Sequence, residues 1–177
     1  MDGNLTPHDV DTLLRELARR LHQSDATVGI RIVGGAAIAL MNDQRRTTRD
    51  IDAAVHPADV VKAVAADIAQ AHDLPLDWLN DAALAYIPPV GAEDWIDVVR
   101  EGSVTISIGS PQMLLAMKLY ANRGRRDADD IDYLLGVCGV TTVQDAQEIY
   151  ERYHAQDVLT DAAVTRIEHW LGHRETT

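Results

Sequence analysis

A single cysteine, only 16 Lys and Arg, and no long apolar run in 177 residues exclude several classes of protein. Cys138 has no partner for an internal disulfide and no CxxC neighbour, so neither a disulfide framework nor a structural zinc is expected. The thiol reads as a small buried hydrophobe in a reducing compartment. The 16 basic residues stand against 28 acidic ones, for a formal charge of -12 and a pI near 4.8. A surface basic all over, of the kind that grips duplex DNA without regard to sequence, is therefore excluded, and any polyanion must bind locally. No apolar stretch approaches the ~18 residues of a membrane span. The start of the chain, MDGNLTPHDVDTLL, is acidic and polar where a signal peptide would be basic and then apolar, so a cytoplasmic protein without membrane contact is expected.

What the chain does have, 46% hydrophobic and 25% charged residues, suits one globular domain with a real core and room for a small appended subdomain. Thr6-Pro7 with Asp9 reads as a helix start, and Val10, Leu13, Leu14, Leu17 and Leu21 repeat at helical spacing to about His22. VGIRIV then alternates as a strand and runs into Gly34-Gly35, after which AAIALMN is a short helix. In DIDAAV, strand geometry sets Asp50, Asp52 and Ala54 on one face. Pro57 opens an amphipathic helix to near His72, and LPLDWLNDAALAYIPP reads as a further short helix, although Trp78 and Leu79 also suit a strand.

An antiparallel pair is expected around the Glu101-Gly102 turn. Beyond it Ser110-Pro111 caps an apolar helix carrying Lys118, and a new helix begins near Arg126. Two more helices follow, at about 142–153 and 160–171. The order predicts an α+β fold, a short mixed β-sheet flanked by helices with a helical C-terminal third. The expected division is an α/β core with its N-terminal helix over 1–109, and a helical part over 110–177 packed on the same core.

Chemistry concentrates in three places. Asp50-x-Asp52 follows Gly35 by fifteen residues, counted from Gly35 to Asp50. Hard divalent cations prefer carboxylate oxygens, and acids at i and i+2 of a strand, about 7 Å apart at Cα, are close enough to share Mg²⁺. Gly34 and Gly35 offer backbone N–H groups with no side chain in the way, at a helix N-terminus whose dipole favours phosphate. Seven basic residues, Arg45, Arg46, Arg49, Lys118, Arg123, Arg125 and Arg126, fall in two short segments of an otherwise acidic chain. Lys118 in LLAMKLYA should meet a carboxylate, such as Asp127 or Asp130, or a bound anion. A buried ion pair often contributes little beside a packed apolar side chain, so Lys118→Met is expected to leave stability intact.

The remaining polar residues invite less. The seven His read as scattered surface or capping residues rather than a helical zinc pair. Trp78, Trp95 and Trp170 read as packing. Ser103, Ser107 and Ser110 lack the Gly-x-Ser-x-Gly setting of a hydrolase elbow.

IVGGAAIAL, RRTTRDIDAAV and SPQMLLAMKLYANRGRRDADDIDYLL, in that order over roughly 28–140, resemble the nucleotidyltransferase-fold, polymerase-beta-like superfamily, and within it the AbiEii-like toxin group and its small bacterial members. DWLNDA at 77–82 resembles a feature of those small members. The resemblance implies a minimal nucleotidyltransferase fold, with Asp50 and Asp52 as catalytic acids ligating Mg²⁺. It implies a nucleotide gripped by Gly34, Gly35, Arg46, Arg49 and Lys118, with Asp127 or Asp130 orienting Lys118 or the acceptor. It implies transfer of a nucleoside monophosphate from an NTP to an RNA or protein acceptor, beside a cognate antitoxin. Gly35 stands where many relatives carry Ser. The strand VTISI lacks the third carboxylate that the superfamily places there, leaving Asp81 and Asp97 as substitutes. A catalytically inactive binding or regulatory partner is the alternative expectation.

Overall fold

The computed structural model describes residues 4–24, 26–42 and 47–174. Two compact units emerge, one of Met1–Ala85 with Trp95–Gly109, the other of Tyr86–Asp94 with Ser110–Thr177.

In the first unit α1 (Pro7–His22) starts as its caps require. Thr6 Oγ1 accepts from Asp9 N at 3.2 Å, and Asp9 Oδ2 accepts from Thr6 N at 2.8 Å, so two otherwise orphaned donors are satisfied reciprocally. β1 (Val28–Val33), α2 (Gly34–Met41), β2 (Ile51–His56), α3 (Ala58–His72), β3 (Leu79–Asn80), β4 (Trp95–Glu101) and β5 (Val104–Gly109) follow. The five strands lie in the order β3-β2-β1-β5-β4. Central β1 is antiparallel to β2 and parallel to β5, β2 and β3 are parallel, and β4 and β5 are an antiparallel pair.

Alternation decides the faces. Ile30, Ile32, Ile51, Ala53, Ile106 and Ile108 are buried, and α1 and α3 supply Leu14, Leu17, Leu21, Val61 and Ile68 to the core. Each of the Ile, Leu and Val side chains contributes about 1.5–3 kcal/mol on burial. The opposite face carries Arg31, Asp52, Ala54, Thr105 and Asp97. The Arg31 guanidinium lies 5.0 Å over the Trp95 ring on that face.

The expected helix over 74–89 is corrected, and the strand alternative holds at Leu79. The segment holds only the two-residue β3 and one 3₁₀ turn, Leu84–Tyr86. Trp78 is the reason: its ring is 1% exposed, its Nε1 donates to Ala65 O at 3.0 Å, and its carbonyl accepts from Ile51 N at 2.7 Å. Anchored to α3 and to the start of β2, the backbone is drawn into the sheet.

The second unit is helical. α4 (Pro111–Ala121) is capped by Ser110, whose Oγ accepts from Met113 N at 3.2 Å, and Met113–Leu119 are buried. After Asn122 in the left-handed region and a 3₁₀ turn, Gly124–Arg126, come α5 (Ala128–Val137), α6 (Val143–Tyr153) and α7 (Asp161–Arg174). The loop 86–94 is tied to α6, because Tyr153 OH and Arg152 donate to Asp94 at 2.9 Å. No helix among the described residues is long and apolar enough to cross a membrane. The architecture is the α+β arrangement expected, a mixed sheet flanked by helices, consistent with a minimal nucleotidyltransferase fold.

Candidate nucleotide and metal site

The antiparallel register of β1 and β2 sets Val33 opposite Asp52, so the turn that follows Val33 begins beside that carboxylate. Gly34 has φ +68°, and a Cβ there would stand 2.7 Å from Asp52 Oδ2. The left-handed backbone favours glycine at this position, and a Cβ there would also push the Asp52 carboxylate from its place. The positive φ falls on Gly34, while Gly35 lies in the first turn of α2. Val33 precedes α2 as its N-cap without a side-chain hydrogen bond, and the first turn of the helix holds no acidic residue. Its N-terminal N–H groups and dipole thus lack an anionic side chain of their own turn.

Asp50 sits just before β2 and, like Asp52, is half-buried. Asn80 Nδ2 donates to Asp50 Oδ2 at 3.1 Å. The parallel pairing of β3 with β2 places Asn80 opposite Asp52. Asn80 is a residue the sequence reading missed: it lies thirty positions from Asp50, and only the local resemblance of DWLNDA drew notice to its segment.

Neither substitute for a third carboxylate joins the pair. Asp97 accepts from Ser107 Oγ at 2.7 Å and pairs with Arg100. It lies on β4, three strand spacings from β2, about 14 Å at the usual separation of neighbouring strands. Asp81 pairs with Lys62 at 3.1 Å, both largely exposed. Among the described residues no group of three His, Cys, Asp or Glu is placed to hold a metal ion. Two carboxylates nevertheless fit Mg²⁺, which is commonly held by one or two acids together with substrate phosphates and water.

Arg49 is exposed and lines a cavity of about 290 Å³ with Asn4, Asp73 and Pro75. Arg46, with Arg45, lies outside the described residues.

Lys118, Asp127 and Asp130 come together within the second unit. Lys118 is 7% exposed, and its Nζ lies 2.7 Å from Asp127 Oδ1 and 2.9 Å from Asp130 Oδ2. Both candidate acids engage it, where the sequence left the choice open. Fully buried Asp127 also accepts from Arg123 N and Nε at 3.0 Å and from Arg123 Nη2 at 3.1 Å. Burial works against its charge, yet the bonds from Arg123 and Lys118 outweigh that and hold the carboxyl down at about 2.

Two further expectations meet the structure here. His169 and His173, four residues apart on α7, stand with ring centroids 4.2 Å apart, so the reading of all seven His as scattered missed one helical pair. Cys138 is half-buried and burial pushes its thiol up to about 11, which keeps it protonated and unreactive near neutrality.

A glycine turn pressed against an acid of a D-x-D strand, at the head of a helix on a small mixed sheet, defines a protein of the nucleotidyltransferase class. Residues 8–169 match the family described as nucleotidyltransferase of unknown function (DUF6036), and the chain belongs to that family. No curated protein and no solved structure matches the chain.

Proposed function

We propose that the chain is a Mg²⁺-dependent nucleotidyltransferase that moves a nucleoside monophosphate from an NTP to a hydroxyl of an RNA or protein acceptor. The observation that carries this reading is the contact of the Gly34 turn with Asp52, because it joins a phosphate-binding element and a cation-binding element at one place. Asp50 and Asp52 would hold the metal, whose charge would offset that of the triphosphate. Gly34 and Gly35 offer the α2 N–H groups to phosphate oxygens. Arg46 and Arg49 are assigned phosphate contacts, and Asp127 and Asp130 are assigned the grip on Lys118 within the second unit. In the transfer the acceptor oxygen bonds to the α-phosphorus as the bond to the β-phosphate breaks and pyrophosphate leaves, with positioning and electrostatics supplying most of the rate. The resemblance to AbiEii-like proteins supports a toxin acting in the cytoplasm beside a cognate antitoxin.

Incubating the protein with each labelled NTP, Mg²⁺ and total cellular RNA or protein tests this directly. Label should move to a macromolecule, and Asp50→Asn should stop it. That no third acid joins the pair among the described residues favours one other reading, a binding or regulatory partner without turnover. Mg²⁺-dependent NTP binding with no transfer to any acceptor would assign the chain to that class.

A further inference from the structure

We infer that Asn80 is a positioning residue of the metal site, holding the Asp50 carboxylate through one oxygen so that the other is presented to the cation. The inference rests on the proposed function, in that it takes Asp50 and Asp52 as the metal ligands. Its basis is the way the Asn80 amide is locked. Oδ1 accepts from Ala82 N at 2.9 Å, which commits that end of the amide to a backbone donor and turns Nδ2 the other way. Nδ2 then donates to Asp77 O at 3.2 Å and to Asp50 Oδ2 at 3.1 Å. Both amide hydrogens are used, one on the loop and one on Asp50.

Placement reinforces the geometry. β3 is the neighbour of β2 on the side away from β1, and its register sets Asn80 opposite Asp52. The amide thus bonds one acid of the D-x-D strand while its residue pairs with the other, at the edge of β2 away from β1. An amide adds no charge there, so it fixes a carboxylate without competing for it. Groups that orient metal ligands in this way typically matter about 10-fold or more in metal affinity.

Mn²⁺ binding, read by electron paramagnetic resonance with and without ATP, tests the inference, with thermal melting in EDTA alongside. Asn80→Ala should weaken Mn²⁺ binding about 10-fold. Asn80→Asp keeps the acceptor for Ala82 N but gives up the donations to Asp77 O and to Asp50, and it brings a third carboxylate against Asp50; the added negative charge should tighten Mn²⁺ binding at least ~3-fold. Weaker Mn²⁺ binding by Asn80→Ala at an unchanged melting temperature in EDTA is something a purely loop-supporting residue would not produce, and tighter binding by Asn80→Asp shows that position 80 faces the cation. Unmoved affinity in both variants overturns the inference while leaving the metal reading in place, as does weakening in both with a lowered melting temperature. A parent protein that binds no Mn²⁺ even with ATP overturns the metal reading and this inference with it.

Discussion

A side chain on Gly34 and the carboxylate of Asp52 cannot occupy their observed positions together, since the Cβ would lie 2.7 Å from Oδ2. Gly34→Ala must therefore adopt φ +68° and displace Asp52. The left-handed backbone alone costs roughly 1–2 kcal/mol for a residue with a Cβ, and the steric conflict adds to it. Urea denaturation should register a loss of at least ~1 kcal/mol, and Mg²⁺-dependent NTP binding should disappear in the fraction that folds. A Gly34→Ala protein with parental stability and binding would show that the turn and the acid are independent. Gly35→Val should still block phosphate approach, but without the left-handed strain.

Asp50→Asn and Asp52→Asn make the complementary case. Both acids are half-buried and lie on the sheet face opposite the α1 and α3 core, so neither substitution opens a cavity. Each should abolish Mg²⁺-dependent nucleotide binding, measured by equilibrium dialysis, while circular dichroism and melting stay close to the parent. Unfolding of the double variant would make the pair structural.

Sequence pattern foretold the elements that carry their own punctuation. Thr6-Pro7-Asp9 marked α1, Gly34-Gly35 marked the passage from β1 to α2, and Ser110-Pro111 marked α4, because caps and turns act over three or four residues. The D-x-D face was legible for the same reason, strand alternation being local. What stayed hidden depends on distant contacts. Trp78 turned an expected helix into a strand by bonding Ala65 and Ile51, and Asn80 reached Asp50 through the β3 pairing that followed. Which glycine takes the positive φ, and that Lys118 engages both Asp127 and Asp130, are consequences of packing geometry that spacing alone does not decide.

Asp127 should leave a mark on acid stability. Its folded carboxyl is held at about 2 against an ordinary value of 3.8. A depressed folded value means the ionised form stabilises the fold: the contribution is fully present above about pH 4 and is lost as pH falls from there toward 2. The shift corresponds to about 2 kcal/mol. Denaturation midpoints measured from pH 6 to pH 2 should fall in this window, and Asp127→Asn, less stable at pH 6, should show a shallower decline. Parallel profiles for the two proteins would mean that Asp127 does not carry the acid sensitivity.

Lys118→Met gives the last test, and the structure reverses the expectation that stability would be untouched. One lysine pairing with one acid could be exchanged for Met at little cost. Here the ammonium lies between Asp127, which is fully buried, and Asp130, which is 7% exposed. Arg123 still serves Asp127 after the exchange, but the loss of the lysine leaves two buried carboxylates sharing one fewer cation. Breaking one side of a buried ion pair typically costs about 3–5 kcal/mol, and a loss of that order should appear in urea denaturation at pH 7. Adding Asp130→Asn removes the excess charge and should recover at least ~1 kcal/mol of it, as coupled neighbours do in a double-mutant cycle. Full additivity of the two changes, or a Lys118→Met protein as stable as the parent, would show that the network is too well solvated for either carboxylate to need the lysine.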